Sequence, residues 1–271
     1  MWLVSFVVLA VLGYVLTGRE LPDRLTEVIE IYLPRDGSPA RDVTALAMLA
    51  GAAVGLTPLH RIVRYLATLV HELGHATAAG ILGGRPSHIT ISTDASGLAV
   101  YQPPLHWGRF RASIVSAAGY PAPALASLAA VRALQQGHAQ AWFVFATGVL
   151  ALAVLLLIRN FWGFFWTSAV VAAAVYGVRE LDVRAIGVAV AAIAGFLAVE
   201  GSRHAFHQFV VLRHVRNTGC DAESISRILR VPALLVSGLF LVGTTALGGY
   251  SLNLGIRDYW PELRELVTDF L

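Results

Sequence analysis

The sequence predicts an all-α polytopic membrane protein of about eight transmembrane helices, with a small β-hairpin after its third apolar helix. Three observations carry this reading. The 271-residue chain is 56% hydrophobic and only 14% charged, with a mean hydropathy of +0.66; a soluble domain averages about 25% charged residues. Apolar runs near the length needed to span a bilayer recur from end to end. One stretch, 87–101, breaks that pattern with the alternation of a strand pair.

The elements follow in order. Residues 1–17 are apolar and lack both a basic leading region and a small-residue cleavage site, which predicts a retained anchor helix. Residues 18–42 are polar, but Leu25, Val28, Ile29, Tyr32 and Leu33 share one helical face, as in a short interfacial helix ended by Pro34. A bundle is expected over 43–250. It begins with a short span, 43–57, closed by Pro58. The next helix, 61–83, stops at Gly83-Gly84-Arg85-Pro86, which are breaker residues. In the predicted hairpin Ile89 and Ile91 alternate with Thr90 and Ser92, and Thr93-Asp94-Ala95-Ser96-Gly97 supplies the turn. Further spans are read over 110–134, 142–158, 161–178, 185–199 and 231–250. Residues 202–216 mix Phe206, Phe209, Val210 and Val211 with Arg203, His204, His207, Arg213 and Arg216, the pattern of a helix lying on the membrane surface. Residues 251–271 form a short charged tail.

The balance of charge excludes some partners. All 20 basic residues besides histidine are arginine, the net charge of +3 is dispersed, and no basic tract points to nucleic acid. Cys220 is the single cysteine, so neither an intrachain disulfide nor a thiolate metal cluster can form.

The chemistry is concentrated in His71-Glu72-Leu73-Gly74-His75, an H-E-x-x-H sequence inside an apolar helical run. Histidines at i and i+4 leave the same helical face, so one small tetrahedral cation can accept both rings, and zinc is the metal such a pair suits. Glu72 lies about 60° around the helix from His75, given ~100° per residue. It can therefore reach a water at the ion without being a ligand, and acts as the expected general base. In an apolar helix two histidines and a glutamate are expensive unless paired or metal-bound.

A catalytic zinc takes three protein ligands, so one more is required. Asp221 opens the segment after Asn217-Thr218-Gly219-Cys220, and its residue type and position fit either a ligand or a helix N-cap. Asp182 lies between Arg179 and Arg184, fits an ion-pair turn, and stands in reserve. The hairpin could offer a strand edge near Ile89 or Ile91 to an extended peptide, or be a plain connection. Asn160, at a span boundary, could bind a substrate carbonyl or end a helix.

These residues together resemble the site-2 protease-like intramembrane zinc metallopeptidases, in the compact branch without a PDZ domain. The likeness runs over roughly 61–240. It rests on the motif helix with Gly83-Gly84 behind it, Gly97 in the hairpin, Ala118-Gly119-Tyr120, Arg159-Asn160-Phe161-Trp162-Gly163, and Cys220-Asp221-Ala222 followed by Pro232. Cys220 stands where the branch usually has serine, and the Asp-Gly element after an Asn-Pro-rich stretch of better-studied relatives is absent. The resemblance implies a zinc-dependent endopeptidase that binds one Zn2+ and hydrolyses peptide bonds in or near transmembrane segments of other proteins. It further implies His71, His75 and Asp221 as ligands, Glu72 as base, and Ile89, Ile91, Gly119 and Asn160 as residues that position substrate. The lipid bilayer and a transmembrane protein are the expected partners, and a bacterial plasma membrane the expected location. A protease-derived scaffold that binds helices in the same cleft without cutting them is the rival reading.

Overall fold

The computed structural model describes residues 41–257, apart from His106 and Arg216. The expected anchor 1–17 and all but the end of the interfacial segment 18–42 lie outside the described residues. Among the described residues there are nine helices and a two-stranded antiparallel sheet.

Proline and glycine set the first corners. Helix α1 (Arg41–Leu56) ends where the Thr57 N–H folds back onto Ala53 O at 3.0 Å. Pro58, with no N–H to give, prevents the helix from continuing. Helix α2 (His60–Ile81) then leaves at 99° to α1. A second corner, of 59°, separates α3 (Arg109–Ala117) from α4 (Pro121–Gln135) at Ala118-Gly119-Tyr120. Pro121 opens α4 in the first helical turn, where a missing N–H costs nothing.

Between the two corners lie β1 (Arg85–Ile91) and β2 (Gly97–Gln102), with Ile89 opposite Ala99 and Ile91 opposite Gly97. The turn is closed by Asp94, whose Oδ1 accepts the Ser96 N–H at 2.9 Å and the Ser96 hydroxyl at 2.7 Å. It is tied to α2 as well: Arg64 donates to Asp94 O, Tyr65 to Thr93 O, and Thr68 to Ala95 O. Ile89 and Ile91 are fully buried against Leu69, Ala76, Leu150 and Ile158.

The remaining helices are α5 (Ala139–Leu156), α6 (Phe161–Glu180), α7 (Val183–His214), α8 (Asp221–Leu229) and α9 (Ala233–Ile256). Helix α7 is the axis of the bundle. Its 32 residues extend roughly 48 Å at 1.5 Å per residue. Small residues let its neighbours approach: a Cβ added at Gly51 of α1 would run into the Ala192 carbonyl, and one at Gly195 into that of Met48. Close backbone approach through small residues is how helices pack where lipid is as apolar as the side chains. Ser127 of α4 donates to Ala194 O at 2.7 Å and meets Ser251 of α9 at 2.7 Å, which joins three helices by buried hydroxyls. Met48, Leu128, Val131, Val190 and Leu254 fill the space between them. The α5–α6 pair is different: Leu152, Leu155, Phe161, Phe164 and Phe165 face outward, as lipid-facing surface does.

Four described helices (α5, α6, α7 and α9) are long and apolar enough to cross a membrane, or six spans exist if each bent pair counts as one. The expected count of about eight treated 43–57 and 61–83 as separate spans and added the N-terminal anchor. Two other expectations are corrected. The surface helix read over 202–216 is the continuation of α7 to His214, since neither Gly201 nor Ser202 breaks the ladder. The last span continues past residue 250 to Ile256, so the tail starts later than 251.

Candidate metal centre and the strand edge beside it

Helix α2 carries His71, Glu72 and His75 in its middle, as the sequence implied, and Glu72 and His75 are each only 6% exposed. Two glycines make the room. A Cβ at Gly74 would lie 2.7 Å from both the Ala118 carbonyl oxygen and the Ala122 Cβ, so only glycine lets α2 sit against the α3–α4 corner. A Cβ at Gly119, on that corner, would run into the Nε2 atoms of His71 and His75. The glycines of the two elements mesh.

The rings are oriented by their surroundings. The Nδ1–H of His75 donates to the Val115 carbonyl of α3 at 2.7 Å. That leaves Nε2 as a lone pair facing inward. It lies 3.1 Å from His71 Nε2. Asp221 Oδ2 is 3.3 Å from His71 Nε2 and 3.2 Å from His75 Nε2. Tyr120 backs His71 edge-on at 5.1 Å and stacks on Phe240 at 4.2 Å between ring centres.

Asp221 arrives from the other end of the chain. It is the first residue of α8, and Cys220, not Asp221, occupies the N-cap position. Its carboxylate is therefore free of backbone capping and turns to the rings. The loop before it is shaped by Asn217 and Gly219, both at positive φ. Glu223 holds that loop by accepting the Asn217 and Gly219 N–H groups, each at 2.8 Å.

The donor set fits a metal. Tetrahedral zinc with bonds of about 2.0–2.1 Å sets its ligands about 3.3 Å apart. The three donor atoms here form a triangle of 3.1, 3.2 and 3.3 Å. Bare lone pairs converging at such distances repel unless a cation or proton lies among them. This His/His/Asp group could thus hold a metal ion. Glu72 shares the same cavity, of roughly 360 Å³, which is also lined by Tyr101, Glu200, His204, Gln208 and Ser224.

The hairpin has two unlike edges. On β1, Ile89 N–H donates to Leu157 O at 2.8 Å and Ile89 O accepts from Arg159 N–H at 3.2 Å. Asn160 continues this side: its Oδ1 accepts the Ile91 N–H at 3.0 Å and its Nδ2 donates to Ile91 O at 2.7 Å. The segment 157–160 thus closes the edge like a third strand. Ala99 and Gly97, opposite Ile89 and Ile91, aim their N–H and C=O the other way, along the edge of β2. That edge lines the cavity through Gly97, Leu98 and Ala99, and the Ala99 amide meets the Glu72 carboxyl. A Cβ at Gly97 would stand 2.6 Å from Glu72 Cγ.

Not every sequence-level expectation lands here. Ile89 and Ile91 are fully buried, and their outward backbone groups are taken by 157–160. Asn160 is spent on Ile91. Gly119 makes room for the rings. Asp182 caps α7, accepting the Ala185 N–H at 2.7 Å, and lies outside the His/His/Asp group. Residues the sequence reading passed over include the carbonyl of Val115, the amide of Ala99, and the face formed by Glu200, His204 and Gln208. Their four-residue spacing in an apolar helix was the available signal for that face. Glu200 is buried and paired with Arg203 through two contacts of 2.9 Å.

The Peptidase M50B-like family matches residues 43–248, which take in both corners, the hairpin and the His/His/Asp group. The chain belongs to that family. No curated protein and no solved structure matches it significantly. Family membership supports a protease, and with the apolar helices it makes the chain a multi-pass integral membrane protein.

Proposed function

We propose that the protein is an intramembrane zinc endopeptidase that hydrolyses peptide bonds in or near transmembrane segments of other membrane proteins. The observation that carries this is the His71–His75–Asp221 triangle with Glu72 beside it, in one cavity with a β2 edge that no strand covers among the described residues. His71, His75 and Asp221 would hold the ion. Bound there, zinc supplies Lewis acidity, which acidifies a water and polarises a carbonyl.

The chain's own groups do the rest. Glu72, next to both rings, takes the proton of the attacking water on its carboxylate and delivers it to the departing amine. Gly97 and Ala99 pair with the main chain of an unwound substrate segment, adding it as a strand beside β2. Glycine at 97 is what lets that segment come close to Glu72. Glu200, His204 and Gln208 give the opposite wall a polar face along which water can enter, which dry hydrocarbon would not allow.

Glu72→Gln tests this. The variant is expected to retain zinc and lose cleavage of a reconstituted transmembrane substrate by at least about 1,000-fold, the scale of a missing general base. His71→Ala is expected to lose both. Full cleavage by Glu72→Gln would refute the assignment.

A further inference from the structure

A second concavity lies away from the metal centre, where the start of α3 meets the end of α8. Arg109, Arg227 and Arg230 line it, together with Trp107 and Ala112. Among the described residues no carboxylate forms a salt bridge with any of the three guanidinium groups. Arg227 reaches only the Ser224 hydroxyl, at 3.4 Å.

Arg227 and Arg230 sit at the carboxyl end of α8, where a cation suits the helix dipole. Arg109 does not: it is the first residue of α3, at the positive end, and Gly108 before it offers no side-chain cap. Three cations and uncapped N–H groups therefore converge, and among the described residues no carboxylate pairs with them. That arrangement is unfavourable by itself and is relieved by an anion.

The place of the concavity says which anion. Arg109 opens the bent pair 109–135, and Arg230 lies just before α9, so two candidate spans begin here. Such a point sits at the membrane–water boundary. Trp107, whose Nε1–H donates to Leu82 O at 3.0 Å, and Ile228 give it an aromatic and apolar rim, and the exposed Phe110 and Leu229 adjoin Arg109 and Arg230 in sequence, as at an interfacial site. A soluble anion would have no use for that rim, whereas a lipid has acyl chains to lay on it.

We propose that this concavity binds the phosphate of an anionic phospholipid headgroup, with Arg109, Arg227 and Arg230 as its cationic contacts. The binding does not depend on the proteolytic reading. It has a consequence for the metal centre all the same. Helix α3 supplies the Val115 carbonyl that orients His75, and α8 supplies Asp221. A headgroup bridging the two helices holds both in register with α2.

The test uses the full chain in a neutral detergent and reads lipid retention by native mass spectrometry, with phosphatidylglycerol and phosphatidylcholine as probes. Phosphatidylglycerol is expected to be retained selectively and to be lost as salt rises. Each single neutralisation, Arg109→Gln, Arg227→Gln or Arg230→Asn, is expected to weaken retention about fivefold and the triple variant about 100-fold. Arg179→Gln, outside the concavity, is the control and should change nothing. Arg230→Asn suits the left-handed backbone at that position (φ 59°), so it keeps the test valid even if the triple variant fails to fold. Undiminished phosphatidylglycerol retention in folded variants would overturn the proposal. So would inorganic phosphate binding the wild-type protein as tightly as the lipid does, since that would assign the site to a soluble anion.

Discussion

The two edges of the hairpin carry the same backbone chemistry and are treated in opposite ways. On β1 every outward group from Ile89 to Ile91 has a partner in 157–160, including an asparagine side chain that stands in for a strand. On β2 the outward groups of Gly97 and Ala99 face the cavity and Glu72. Unpaired strand edges are a liability that proteins cover when they can. Covering one and leaving the other beside Glu72 is the contrast on which the proposed function rests.

The contrast can be broken from either side. The largest effect is expected from filling the open edge. Gly97→Val would push side-chain atoms into Glu72 and Thr68 and is expected to reduce cleavage at least about 100-fold, the cost of misplacing reacting groups by about 1 Å. Its thermal midpoint in detergent should change far less than its rate. Asn160→Ala attacks the closed edge. It strands the Ile91 N–H and C=O, which is expected to cost about 2 kcal/mol of stability, read as a lower thermal midpoint with zinc still bound. If Asn160→Ala instead left stability intact and abolished cleavage, the residue would contact substrate. Ala99→Pro sharpens the comparison. It removes one outward N–H and no ladder bond, so the hairpin should survive while cleavage falls about tenfold. Leu98→Pro removes the backbone N–H that faces Thr90 across the ladder and should unfold the hairpin.

The smallest expected effect concerns the loop before Asp221. Burial, the largest single influence, would raise the Glu223 carboxyl, but hydrogen bonds from the Gly219, Thr218 and Asn217 N–H groups and the Thr218 hydroxyl together hold it below its ordinary value of 4.5. A lowered folded-state pKa means the glutamate stabilises the loop fully above its unfolded value and loses that contribution as pH falls through the folded one. Hydrogen exchange at Asn217 and Gly219 should therefore quicken as pH falls below 4.5, after correction for intrinsic rates. Glu223→Gln should abolish that pH dependence.

What the sequence revealed followed from local periodicity. The i, i+4 histidines, the hairpin turn and most apolar helices depend on neighbours within a few residues, and all were legible. Where reading failed, the cause was long-range. Nothing local tells that Asn160 pairs with Ile91, 69 positions away, or that β1 and not β2 is covered. Asp221 could be read as a ligand or an N-cap, and Asp182 as an ion-pair turn held in reserve. The difference is a one-residue shift: Asp182 is the N-cap of α7, whereas Cys220 takes that position in α8 and leaves Asp221 free. The described residues give four to six spans and do not confirm about eight: composition does not tell whether the segments on either side of Pro58 are two spans or one bent one, and the anchor 1–17 lies outside those residues.

The central claim is that His71, His75 and Asp221 hold one divalent ion between them. Elemental analysis of the purified chain, after zinc loading and removal of excess metal, tests it most directly. The account predicts one zinc per chain in the wild-type protein and in Asp182→Asn, and little or none in Asp221→Ala. A metal-free wild-type protein, or an Asp221→Ala variant that keeps its zinc, would contradict it.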